Sequence, residues 1–198
     1  AETFTMSQDL YAVDAVKDPA INSTIGATKG FVKIYDGGSS VDVANPPKIQ
    51  PLKVVEFDGN TGVAVGQQGT ILQTSSSGST WKVVYSGTTE DLTAAAVSGS
   101  KAIAGAVNGS VIYSANKGVT WSNSATNTGA KVEDITSPDG SIVLLASGTK
   151  VYKSINGGAS FTISKNFTQP VKSVCLDIDG YGYVVGNNGL AYRITPGF

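Results

Sequence analysis

The stretch "TSSSGSTW", Thr74 to Trp81, sets three serines and a glycine directly before a tryptophan. Alone it reads equally well as a flexible linker, a serine nucleophile site or a sugar-binding loop. Its recurrence decides between them: "SANKGVTW" ends at Trp121 and "SINGGASF" ends at Phe161. Gly38, Gly78, Gly118 and Gly158 stand 40 residues apart and open the tails "GSSV", "GSTW", "GVTW" and "GASF". A second column keeps the same spacing in five copies: "GATKGFVKI" from Gly26, "GQQGTILQT" from Gly66, "AVNGSVIYS" from Ala106, "ASGTKVYKS" from Ala146 and "GNNGLAYRI" from Gly186.

A period near 40 residues, built from short β-branched and aromatic runs bounded by glycine, is the signature of a β-propeller in which each repeat is one four-stranded blade. Asn-Gly and Asp-Gly pairs break the runs where hairpin turns belong, so helical repeats of similar period are excluded. The second copy divides into "LKVVEF", "GVAV", "TILQT" and "WKVVY", and the third and fourth divide alike. The fifth has "VKSVCLDI", "YGYVVG" and "LAYRIT" but no outer strand. "FTMSQDL" from Phe4 resembles "FTISKNF" from Phe161, so an N-terminal strand is expected to join the C-terminal blade and close the ring. The expectation is an all-β, five-bladed propeller forming a single domain over residues 1–198, monomeric, with the proline-bearing first copy the least regular.

Composition narrows the function. With 14 Lys+Arg against 15 Asp+Glu the net charge is -1, which gives no basic field for nucleic acid or an anionic membrane. No apolar run reaches the length that crosses a bilayer, so membrane insertion is not expected. Histidine is absent, which removes the commonest general base and metal ligand, and neither cofactor nor metal is expected. Cys175, the sole cysteine, lies in the strand-like "VKSVCLDI" and reads as an inert core thiol. Asn22, Asn108 and Asn166 head Asn-x-Ser/Thr sequons, candidate glycosylation acceptors. An opening Ala rather than Met suits a processed protein of a secreted or exported compartment: lumen, periplasm or extracellular space.

The tails resemble the Asp-box of sialidase-type (BNR) propellers, written Ser/Thr-x-Asp-x-Gly-x-Thr-Trp. The Gly-rich column is similar to that of the Ycf48-like photosystem-assembly propellers of the same broad group. At the box's Asp position stand Asp36, Ser76, Asn116 and Asn156, each a short acceptor able to bond the backbone of its own turn. The resemblance implies that Trp81, Trp121 and Phe161 are packing residues, with a sugar-stacking set as the rival reading.

Sialidases of this group grip a carboxylate with three arginines; this chain has one, Arg193. Five-bladed arabinanases instead set carboxylates around the channel. On an inner-strand column of Asp14, Val54, Ala94, Asp134 and Val174, the candidates are Asp14 and Asp134, with Glu133 beside the latter. "DIDGYGY", Asp177 to Tyr183, has acidic spacing that hints at Ca²⁺ but falls at a hairpin turn. Arg193, Lys33 and Lys153 make a sparse cationic column where the photosystem-assembly resemblance implies an arginine-rich patch. The turns between second and third strands, with the links between blades, share one face and offer Gln67, Gln68, Asn108, Asn187, Asn188, Glu90 and Asp91 to a ligand. The reading is a non-enzymatic binding propeller: a secreted lectin-like or adhesive module taking carbohydrate or protein, or alternatively a protein-docking scaffold or assembly factor. A glycosidase using the channel carboxylates is the third possibility.

Overall fold

A computed structural model describes the strands at residues 10–14, 23–27, 31–36 and 39–42 and all of residues 50–198. Among these residues the chain forms antiparallel sheets in strict sequence order and no α-helix. The first sheet is β1 (Leu10–Asp14), β2 (Ser23–Ala27), β3 (Phe31–Asp36) and β4 (Ser39–Asp42). The second is β5 (Leu52–Asp58), β6 (Thr61–Gly66), β7 (Ile71–Thr74) and β8 (Lys82–Val84). The third is β9 (Leu92–Ser98), β10 (Lys101–Ala106), β11 (Ser110–Ser114) and β12 (Ser122–Asn127). The fourth is β13 (Val132–Thr136), β14 (Val143–Ser147), β15 (Lys150–Ser154) and β16 (Thr162–Asn166), and the fifth is β17 (Val171–Leu176), β18 (Gly182–Gly186) and β19 (Ala191–Ile194). Each sheet packs through its inner strands on the next, first on second through to fourth on fifth.

Alternate residues of a strand face opposite sides, so a sheet packed between two others is apolar on both. β6 is buried along its whole length for this reason. Val63, Val65 and Ile71 of the second sheet meet Ala102, Ala104 and Ile112 of the third. Ile103 and Val111 then face Val143, Leu145 and Tyr152 of the fourth, and Leu144, Ala146 and Val151 face Val174, Val184 and Ile194 of the fifth. The aromatics of the repeated tails join these seams: Trp121 packs into the second–third seam, Phe161 into the third–fourth, and Trp81 against Phe57, ring centroids 5.7 Å apart. Packing is therefore their role in the structure.

The boxes fasten the seams. In the third sheet, Ser114 Oγ accepts the N–H groups of Asn116 and Gly118 at 3.2 and 2.9 Å, while Asn116 Oδ1 accepts the Thr120 N–H at 2.9 Å. Ser154, Asn156 and Ser160 repeat the pattern in the fourth sheet, and Thr74, Ser76 and Thr80 in the second. Gly118 has φ 77°, and a Cβ there would lie 2.7 Å from Val63 Cγ1, so glycine is needed both for its conformation and for the close approach to the preceding sheet. In the first sheet β3 and β4 pair with Asp36 opposite Ser39, and the box turn expected between them falls outside the described residues.

Two expectations about the ends need restating. The N-terminal strand expected to complete the fifth sheet falls on residues 1–9, outside the described residues. Among the described residues β19 has no outer partner, and no packing of the fifth sheet on the first matches that between consecutive sheets. Cys175 is exposed rather than buried in a core. It sits on the side of β17 that would meet a following sheet, alongside Tyr183 and Val185, which are 55% and 43% exposed. Their register equivalents, Val63 and Val65, are fully buried.

Two measurements test this account. Phe161→Ala should cost roughly 3 kcal/mol in denaturant unfolding, because it empties a buried ring site in the third–fourth seam. Native Cys175 should be alkylated fully by a small maleimide without a shift in Tm; a thiol that reacts only in denaturant would place it inside a seam.

Candidate functional site

The two rims of the propeller differ in how they are built. On one, the turns between second and third strands lock onto the links between sheets. Gly69 N–H donates to Glu90 O at 2.8 Å, Val107 N–H to Asp91 O at 2.9 Å and Asn187 N–H to Pro170 O at 2.9 Å. On the other, the box turns lock onto the hairpins between first and second strands, through Lys117 N–H to Ser100 O at 2.8 Å and Gly157 N–H to Ser141 O at 3.0 Å. The predicted division of faces therefore matches the geometry.

The candidate ligand residues all lie on the first rim. Gln67 and Gln68 open a single 3₁₀ turn after β6, and Asn187 and Asn188 open its counterpart after β18. Gln68 and Asn188 adopt left-handed backbone at φ 52° and 53°, which turns both side chains outward, and both are exposed. Asn188 Nδ2 donates to Gln169 Oε1 at 2.7 Å. Asn108 is exposed, and its Oδ1 accepts from Ser110 N–H and Oγ at 3.0 and 2.7 Å, holding its own turn. Asp91 is a strut between sheets: its carboxylate accepts from Lys53 Nζ at 2.9 Å and Gln68 N–H at 3.0 Å. The Lys53 hydrogen bond, followed by that from Gln68, holds the Asp91 carboxyl below the usual range. Glu90 lends its backbone carbonyl to Gly69.

The channel carboxylates are brought apart. The bulge that starts each inner strand places Ala12, Val54, Ala94, Asp134 and Ser173 on the equivalent rung, so Asp14 lies two residues past it and does not share a layer with Asp134, and Val174 lies one past it. Asp134 is occupied by its neighbour sheet: Oδ2 accepts from Ser173 Oγ at 2.6 Å and Val174 N–H at 3.0 Å, and Oδ1 accepts from Ile135 N–H at 2.9 Å. Glu133 lies between Lys131 and Lys172, at 2.5 and 2.6 Å. Burial pushes its carboxyl upward, and the two lysine hydrogen bonds outweigh that and hold it low. These contacts make the pair a tie between the fourth and fifth sheets.

Asp177 Oδ1 accepts from Asp179 and Tyr181 N–H groups at 3.0 and 2.8 Å, so "DIDGYGY" is a hairpin turn. No cluster of three or more Cys, Asp or Glu residues placed to hold a metal occurs among the described residues. Of the sequons, Asn108 and Asn166 are exposed, and Asn22 lies outside the described residues. No helix of the described residues is long and apolar enough to cross a membrane. Sequence reading overlooked a groove on the outer edge between β8 and the third sheet's box, lined by Lys82, Tyr85, Lys117 and Val119. Its signal was the short interval from Trp81 to Gly87 compared with Trp121 to Gly129.

Residues 3–189 match the family described as photosynthesis system II assembly factor YCF48. The chain belongs to that family. Among solved YCF48 structures, one bound to a D1 peptide is 14% identical with a TM-score of 0.71, over 94% of this chain and 65% of that one. YCF48 from Cyanidioschyzon merolae is 13% identical with a TM-score of 0.72, over 99% of this chain and 69% of that one. The WD40 propeller domain of Doa1, 18% identical with a TM-score of 0.73, is covered to 66% by 96% of this chain. No curated protein matches the sequence. This YCF48-family chain thus spans about two thirds of the length of these propellers.

The strut at Asp91 makes a pH prediction. A carboxyl held low in the folded state adds stability above the ordinary carboxylate range and loses it as pH falls through the folded value. Asp91→Asn should therefore flatten the fall in Tm between about pH 6 and pH 3. An unchanged acid slope would show the Lys53 contact to be without effect. The fasteners make a second: Ser154→Ala strands the Asn156 and Gly158 N–H groups and should cost about 1–3 kcal/mol, with ligand binding affected only through stability.

Proposed function

We propose that this chain is a non-enzymatic docking propeller that holds an extended segment of a client protein during assembly, on the rim bearing Gln68, Asn108, Asn187 and Asn188. Membership of the YCF48 family carries the reading, supported by the relative solved with a D1 peptide. The rim suits the task chemically. Its exposed amides can donate to and accept from peptide groups, and a left-handed turn presents those of Gln68 and Asn188 from a fixed backbone position, which lowers the ordering cost of binding. With one arginine in the chain, recognition rests on amide hydrogen bonds more than on a cluster of guanidinium pairs.

The test compares a D1 peptide with a glycan array on the same protein. The peptide should bind, and Gln68→Gly with Asn188→Gly should weaken it at least fivefold at unchanged Tm, since glycine keeps the left-handed backbone while removing both amides. Glycan signal without peptide binding would restore the lectin-like reading. Peptide affinity unaffected by the double variant would move the site off this rim.

A further inference from the structure

The outer strands of the second and third sheets meet the following box in different ways. In the third sheet, Ala125 N–H donates to Ala159 O at 2.9 Å, Ser124 Oγ to the same carbonyl at 3.2 Å, and Phe161 N–H to Thr126 Oγ1 at 2.9 Å. The outer strand is thereby hydrogen-bonded onto the next box. Val84 to Ser86 and Val119 to Trp121 are the equivalent segments one repeat earlier. Among the described residues no hydrogen bond joins them, and Ser86 Oγ turns away to the Thr88 carbonyl. β8 ends after three residues, and a groove of about 460 Å³ opens where the neighbouring junction is hydrogen-bonded.

The groove has a definite chemistry. Val83, Tyr85 and Val119 are 51%, 86% and 54% exposed, which makes this an apolar stripe beside a free strand edge. Lys82 and Lys117 flank it, both exposed, and among the described residues neither makes an ion pair. Gln73, Ser75 and Asn116 complete its polar lining, and no carboxylate contributes. A free strand edge accepts an added strand through main-chain hydrogen bonds, and alternate side chains of that strand choose the partner. The two unpaired lysines favour acidic residues at those positions, and the apolar stripe favours aliphatic ones between them.

We propose that this groove is a second docking site, distinct from the amide-bearing rim, which takes an extended acidic–aliphatic peptide segment of a partner protein as an added strand along β8. The incoming strand supplies the closure that Ser124 to Thr126 supply in the next sheet.

The probe is a fluorescent eight-residue peptide of alternating glutamate and valine, compared with its lysine–valine counterpart by anisotropy on the full chain. The acidic probe should bind at least tenfold tighter than the basic one, and more weakly as salt rises. Lys82→Glu with Lys117→Glu should invert that preference, and Tyr85→Ser should weaken the acidic probe severalfold. These residues are exposed, so an unchanged Tm checks that the fold survives. Gln68→Gly with Asn188→Gly should leave the probe's affinity as it was, which separates this site from the rim. Equal binding of both probes, no binding of either, or an acidic preference that survives the double charge reversal would overturn the proposal.

Discussion

An antiparallel sheet can keep one face in water, but the second, third and fourth sheets of this molecule cannot. β6, β10 and β14 carry aliphatic or small residues on both faces, so each sheet requires a neighbour on either side to remove that surface from solvent. Each fully buried valine, leucine or isoleucine is worth about 1.5–3 kcal/mol of transfer free energy, and the seams are built from these together with alanine and aromatic residues. The radial stacking, the small residues at the crowded inner strands and the placement of the box aromatics all follow from the need to fill the wedge between two twisted sheets.

Polar groups then set the angle and height of each sheet against the next. Thr93 Oγ donates across the third–fourth seam to Val132 O at 2.6 Å, the role that Asp134 fills one seam later and Lys53 with Asp91 fills one seam earlier. Different chemistry occupies the same mechanical position because the seam demands a connection near the channel and is indifferent to its kind. Glu133 and Asp134 on the inner strand β13 are thus engaged in holding the fourth and fifth sheets together.

The legible part of the fold was whatever the 40-residue period governs: strand order, the box turns, the two rims, the packing of Trp121 and Phe161. Three things escaped it. Cys175 reads as a core residue because its flanking pattern is that of a buried strand, yet burial depends on a sheet that must come to cover it, which no local pattern reveals. Asp14 was aligned with Asp134 by counting from the glycine columns, whereas the inner strands are aligned by a bulge that shifts pairing without marking the sequence. The groove beside β8 was hidden in a difference of two residues between one outer strand and the next. Of the candidate ligand residues, the rim placement was readable from turn chemistry, but the division of labour was not: Asp91 and Asn108 are engaged in holding loops, and Gln68 and Asn188 are presented outward.

The uncovered side of β17 to β19 bears on how the molecule opens. Because the sheets among the described residues pack chiefly on the sheets beside them, stability is close to a sum of nearest-neighbour terms, and a sheet with one apolar flank in water contributes fewer of them. The fifth sheet is cheaper to detach than the third or fourth, and its departure would lay bare Leu144, Ala146 and Val151 in turn. Opening therefore runs as an unzipping inward from the C-terminal blade, in which amide protons of β17 and β18 exchange before those of β10.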